Sequence, residues 1–175
     1  MRQPPTEVQV VLPVWGRAYV GPFLELCLPT LLAQGNVPAL AQLATCTFVL
    51  MTRERDVASI TSHPLWARLT LWCRVRIDLI DDLVSNSSST VLTLAYARAI
   101  RASGPQMVDT CFILLVSDYV VADGSLRHAA ERVFSGASGV LAGNFQITEE
   151  GGREPILAQA DRATGVITMA SRDLA

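Results

Sequence analysis

The chain has 175 residues, enough for one domain with a substantial core. Half of the residues are apolar and 17% are charged, which excludes a disordered or fibrous chain. The net charge is −2 and every basic residue is arginine, with no basic block. That balance argues against a nucleic-acid partner, and the missing lysines exclude a Schiff-base or phosphate-loop lysine.

The amino terminus, MRQPPTEVQ, is too polar for a signal peptide. No apolar run approaches about 18 residues, so no membrane span is expected and a cytoplasmic location is the default. Glu7 to Pro13 reads as a first strand, closed by the turn Pro13-Val14-Trp15-Gly16-Arg17. Val20, Phe23, Leu24, Cys27, Leu28, Leu31 and Leu32 then keep helical spacing, and Pro29 predicts a kink or split near Glu25. Gly35-Asn36 ends that segment, and a short helix is expected over Pro38 to Leu43. Thr45 to Met51 reads as a second strand that empties into the polar group Thr52 to Asp56, and a short helix is expected around His63 and Pro64.

Arg74 to Ile80 alternates polar and apolar residues, the mark of an edge strand or one with a wet face. It ends at Asp81-Asp82, read as a solvated turn. Ser85 to Ser89 is a loop rich in helix caps, followed by a helix from about Thr90 to Ala102 with Val91, Leu94, Ala95 and Ala99 inward. Cys111 to Val116 is apolar enough to predict a central strand buried on both faces. It delivers a lone carboxylate, Asp118, to its carboxyl end. Asp123 is expected to cap the next helix, whose inner face is Leu126, Ala129, Ala130, Val133 and Phe134.

Beyond Ser135-Gly136, a strand is expected over Gly139 to Ile147 and a turn at Gly151-Gly152. Two short strands, Ile156 to Ala160 and Val166 to Met169, are expected around Thr164-Gly165. Ser171 to Ala175 reads as the opening of a helix too short to stand alone. Residues 1–175 are therefore expected to be a single α/β domain forming the amino-terminal part of a longer architecture. Apolar surface left uncovered there predicts a homo-oligomer.

Strands alternating with helices through short connections predict an α/β fold: a Rossmann-like, mostly parallel sheet with helices on both faces. In such a sheet the carboxyl ends of the strands share one edge. Three of those ends carry polar groups: Trp15 to Arg17, Thr52 to Asp56, and Ser117-Asp118. Asp118 is either a metal or ribose ligand or a turn residue. Arg17 is either a phosphate contact or an ordinary loop arginine. His63 and His128 lack acidic or cysteine partners at ligand spacing and read as surface residues. Cys27, Cys46, Cys73 and Cys111 show no zinc-type spacing and read as buried thiols of a reducing compartment. GxGxxG, GxxxxGK[ST] and GxSxG are all absent, which disfavours dinucleotide-binding folds, phosphate-loop enzymes and serine hydrolases.

The phrases LPVWGRAYV, TFVLMTRERD and LLVSDYVVADGSLRHAAERV resemble the nucleotide-sugar-binding half of GT-A type glycosyltransferases, over about Val8 to Ile147. The resemblance implies transfer of a sugar from a nucleotide-sugar donor to an unknown acceptor. By position, Pro13, Val14, Trp15, Arg17, Thr52, Glu54, Asp56 and Ser117 would line the donor, and Asp118 would bind Mg²⁺ or Mn²⁺ on its diphosphate. The family's Asp-x-Asp is degenerate here: Val116 stands in the first position, giving Val-Ser-Asp. The family's catalytic base lies well beyond this motif, and the late acidic residues Glu149, Glu150 and Asp161 are the candidates for it, none of them in a recognisable motif. Two readings therefore stand: a glycosyltransferase or its donor domain, and a non-catalytic domain of the same fold that senses nucleotide sugars or serves in assembly. An unrelated α/β nucleotide-binding enzyme is the third.

Overall fold

A computed structural model describes residues 4–143, 146 and 148–174. Its strands are β1 (Glu7–Pro13), β2 (Thr45–Thr52), β3 (Arg74–Leu79) and β4 (Thr110–Leu114). Its helices are α1 (Arg17–Pro22), α2 (Leu28–Leu31), α3 (Val37–Leu43), α4 (Glu54–Thr61), α5 (Pro64–Leu69), α6 (Ser88–Ala102), α7 (Ser125–Phe134) and α8 (Glu149–Leu157). The strands form one parallel sheet in the order β3-β2-β1-β4. This is the expected α/β, Rossmann-like architecture. No helix among the described residues is long and apolar enough to cross a membrane.

The strand pattern dictates how the layers assemble. Val8, Val10 and Leu12 of β1 share a face with Phe48 and Leu50 of β2, and that face packs against Phe23, Leu31, Leu40, Ile60, Leu69 and Leu126. The intervening Val11, Val49 and Met51 point the other way, onto Val91, Ala95 and Ala99 of α6. Helices leaving β1 and β2 thus cover one face, and α6, leaving β3, covers the other. A right-handed crossover requires that change of side once the strand order reverses direction. Phe48 meets Trp66 of α5 edge to face, with ring centroids 6.3 Å apart.

Alternation correctly marked β3 as an edge strand. For β4 the expectation is corrected: it is the other edge of the described sheet, not its centre, and Leu114 is 44% exposed. Leu94 likewise faces outward on α6, leaving Val91, Ala95 and Ala99 as its buried stripe. The kink expected from Pro29 is a π-turn over Phe23–Cys27, in which the Leu28 N–H reaches back to the Phe23 carbonyl. Proline lacks the N–H that would continue the α pattern, and widening the turn absorbs the gap between α1 and α2.

The carboxyl-terminal third departs most from expectation. Residues 139–143 are irregular, and 144, 145 and 147 of the expected Gly139–Ile147 strand lie outside the described residues. Gly151 and Gly152 sit inside α8, whose first turn is capped by Thr148 Oγ1 accepting from Gly151 N at 3.2 Å. The two expected short strands reduce to one antiparallel bridge between Ala160 and Ile167. Ile156, Ile167 and Met169 make a small separate core with Leu26 and Val120. This segment docks on α2 through Ile167 N bonding the Pro29 carbonyl at 3.2 Å, and on the π-turn through an Arg153–Glu25 ion pair. The expected terminal helix is a single 3₁₀ turn, Ser171–Asp173, and Ala175 lies outside the described residues.

Candidate functional site

The sheet order points to where a ligand crevice would be expected. From β1 the chain builds outward to β2 and β3, then crosses to β4 on β1's opposite flank, so the order reverses between β1 and β4. Crevices in open α/β sheets lie outside the carboxyl ends of strands at such a point. Here the strands part physically. The β1–β4 ladder ends at Val11 with Leu114, closed by Leu115 N bonding the Val11 carbonyl at 3.0 Å. The β1–β2 ladder continues to Pro13 with Met51, and Val14 N bonds the Met51 carbonyl at 2.9 Å. The loop after β1 therefore leans with β2, and the loop after β4 is released on the other side of the gap.

On the β1 side, Gly16 sits at φ 78°, a conformation that favours glycine, and opens α1. Its N–H donates to Asp56 Oδ2 at 2.8 Å. This bond ties the β1 loop to α4 and joins two of the three polar clusters singled out in the sequence. Trp15 is half-buried against the α6-side core and stands 6.3 Å from the Tyr19 ring. Arg17 is exposed and forms no ion pair among the described residues.

The second cluster is helical rather than a loop: Glu54 and Asp56 lie in the first turn of α4. Thr52, closing β2, is completely buried, and its hydroxyl has no hydrogen-bond partner among the described residues. Thr52 is thus beneath the rim, while Glu54 is exposed on it. Asp81 is committed to structure. It accepts from Glu54 N at 2.9 Å and pairs with Arg53 at 3.4 Å, and these contacts hold its carboxyl below the usual range. Asp82 is held low by Arg98, whose Nη1 donates to it at 2.9 Å.

On the β4 side, Ser117 is buried and Asp118 is exposed, with no hydrogen bond or ion pair among the described residues. The backbone beneath it is pinned on both sides. Tyr96 Oη donates to the Leu115 carbonyl at 2.7 Å, and Cys27 Sγ approaches the Val116 carbonyl at 3.9 Å. Burial, and then the negative charge of Asp118, push the Cys27 thiol up. Tyr96 is pushed up to about 12 by burial, with Tyr119 and Asp118 adding to it. Asp118 is therefore a free carboxylate carried by a firmly held backbone.

The loop after Asp118 is held by residues that sequence reasoning did not single out. Buried Thr30 accepts from Val121 N at 3.1 Å through its hydroxyl. Buried Asn36 donates to the Thr30 carbonyl at 2.9 Å and the Ala122 carbonyl at 3.2 Å, and its Oδ1 accepts from Leu126 N at 3.2 Å. Asn36 thus caps α7 from another part of the chain. Asp123, expected as that cap, instead accepts from Gly35 N at 2.7 Å. The only local signal at Gly35-Asn36 is that of a turn, and nothing nearby marks the partner ninety residues on.

Among the described residues no group of three or more His, Cys, Asp or Glu side chains could hold a metal ion. Asp118 is a single exposed carboxylate, so any cation held there would have to take the rest of its coordination from a ligand and water. Glu149 and Glu150 open α8, while the Asp161 carboxylate accepts from Ala163 N, Thr164 N and Thr164 Oγ1 within its own turn. No protein-family model, curated protein or solved structure matches the chain.

Proposed function

We propose that this chain binds a nucleotide-sugar donor at the β1–β4 crevice and acts as the donor half of a GT-A type glycosyltransferase. The observation that carries the reading is the unpaired Asp118 carboxylate at the point where the sheet order reverses, across from the Trp15–Arg17 loop. In this arrangement Asp118 takes Mg²⁺ or Mn²⁺ together with the donor diphosphate, and the cation stabilises that diphosphate as it leaves. Arg17, without an ion-pair partner among the described residues, answers phosphate charge. Trp15 offers a half-buried ring edge for the nucleoside. Pro13 and Val14 are buried and shape the floor of the loop, and Glu54 lies on the rim for a ribose hydroxyl. Asp56 and Thr52 serve from below, the first by holding Gly16.

A second reading, a domain that binds the donor without transferring it, is favoured by one observation. Asp161, a late carboxylate considered for the acceptor's base, is spent on its own turn. Thermal unfolding with UDP, GDP, CDP and dTDP, each with and without Mn²⁺, tests the donor site common to both. A ligand at about 100 times its dissociation constant stabilises by about 2.7 kcal/mol. Asp118→Asn should leave the unliganded midpoint unchanged and abolish the metal-dependent shift. The absence of a shift with every nucleotide would remove the donor site and both readings with it. Sugar transfer to added acceptors then separates the enzyme from the binding domain.

A further inference from the structure

At the opposite end of the sheet, β2 and β3 begin side by side. Thr47 faces Arg74 and Phe48 faces Val75, so Cys46 and Cys73 are the next neighbours in that register, on the face shared by Phe48 and Val75. Adjacent strands run about 4.8 Å apart, and a disulfide spans Cα separations of about 4.4–6.8 Å. Both cysteines are free, and the Cys73 thiol donates to the Leu69 carbonyl at 3.5 Å. They are only 5% and 8% exposed, yet both line a surface concavity of about 600 Å³ walled by Ala44, Thr70 and Trp72. A small oxidant therefore has a route to them. The other thiols are placed differently. Cys111 lies beyond Val8 in the same row, two strand spacings from Cys46 (about 9.6 Å), outside disulfide reach. Cys27 is fully buried against the Val116 carbonyl.

We propose that Cys46 and Cys73 form a redox-sensitive dithiol that closes to a disulfide on reaction with a peroxide, joining the amino ends of β2 and β3. Cys73, which lies in the bend just before β3 and is the more exposed of the pair, is the attacking sulfur. Loss of the proton that it gives the Leu69 carbonyl leaves the thiolate that attacks. The Cys73 thiolate breaks the O–O bond of hydrogen peroxide, forming a sulfenic acid and releasing hydroxide, which leaves as water. Cys46 then attacks that sulfur, the S–S bond forms, and the sulfenic oxygen departs with the Cys46 proton as a second water. Both sulfurs are oxidised and both peroxide oxygens reduced.

The test treats the native full chain with graded hydrogen peroxide, blocks remaining thiols in denaturant, and reads intact mass and a non-reducing peptide map. The expected result is a mass loss of about 2 Da before blocking, a single linked peptide containing Cys46 and Cys73, and full reversal by dithiothreitol. In Cys46→Ser, Cys73 should stop at a sulfenic acid that a dimedone probe captures. Four blockable thiols after peroxide, or a linkage that involves Cys27 or Cys111, overturns the proposal. The wild-type map decides the matter even where the serine variant fails to fold.

Discussion

Replacing Asn36 by alanine removes a fully buried side chain that joins three backbone segments. It deletes donation to the Thr30 and Ala122 carbonyls, at 2.9 and 3.2 Å, and acceptance from Leu126 N at 3.2 Å. With a net worth of about 1 kcal/mol for each bond, the expected loss is about 3 kcal/mol, before any cost for the cavity left behind. That is a large share of the roughly 5–15 kcal/mol that holds an ordinary domain together. For a chain of this size it lowers the melting midpoint by roughly 6–12 °C. Urea unfolding followed by tryptophan fluorescence and far-UV circular dichroism measures it, with an unchanged denaturant slope showing that the loss lies in the native state. Under the proposed donor binding, the same variant should weaken any nucleotide-dependent stabilisation, because the loop that Asn36 holds begins directly after Asp118. A loss below about 1 kcal/mol with an unchanged slope would refute the role of Asn36 as a clamp.

Gly35→Ala should destabilise by about 2 kcal/mol or more, because a Cβ there would lie 2.5 Å from Gly124 N and 2.6 Å from its Cα. An unchanged urea midpoint would show that the α7 amino end moves freely away from Gly35. Thr52→Val replaces a buried, unpartnered hydroxyl with a methyl of the same shape, and stability should hold or rise by up to about 1 kcal/mol. A marked loss in the same assay would reveal a partner for that oxygen. Tyr96 has a folded pKa raised to about 12, so its contribution is fully present below the unfolded value of about 10. That contribution falls as pH rises from there towards 12. Tyr96→Phe should flatten the alkaline fall in a stability–pH profile, and an equally steep fall in the variant would count against the assignment.

Much of the frame is legible in the residue pattern. The odd–even alternation of β1 and β2 separates the two cores, the polar–apolar alternation of β3 marks an edge, and Pro29 announces the break in its helix. Where the reading failed, distant contacts had outweighed local signals. The apolar run at Thr110 to Leu114 reports burial between layers, but not how many strands flank it. Gly151-Gly152 reads as a turn, yet Thr148 before two glutamates was an available helix-start signal, and α8 forms. At the crevice, the three polar strand ends were visible in the sequence, and the Gly16–Asp56 bond links the first two. The grip on the Asp118 loop by Thr30 and Asn36 was not visible, because a hydrogen bond between residues ninety positions apart leaves no periodicity to detect.

The seam between β1 and β4 also bears on how the molecule is built. Glu7 faces both Thr45 and Thr110, so β1 finds its first partner after one crossover and its second only after most of the chain has been made. Closing the longer loop costs more chain entropy and makes the later contact the slower one to form. The three strands β3-β2-β1 can therefore assemble from sequence neighbours before β4 docks. The seam does not exist until that final docking, and a ligand bound there as proposed would bridge the early and late halves of the folding sequence.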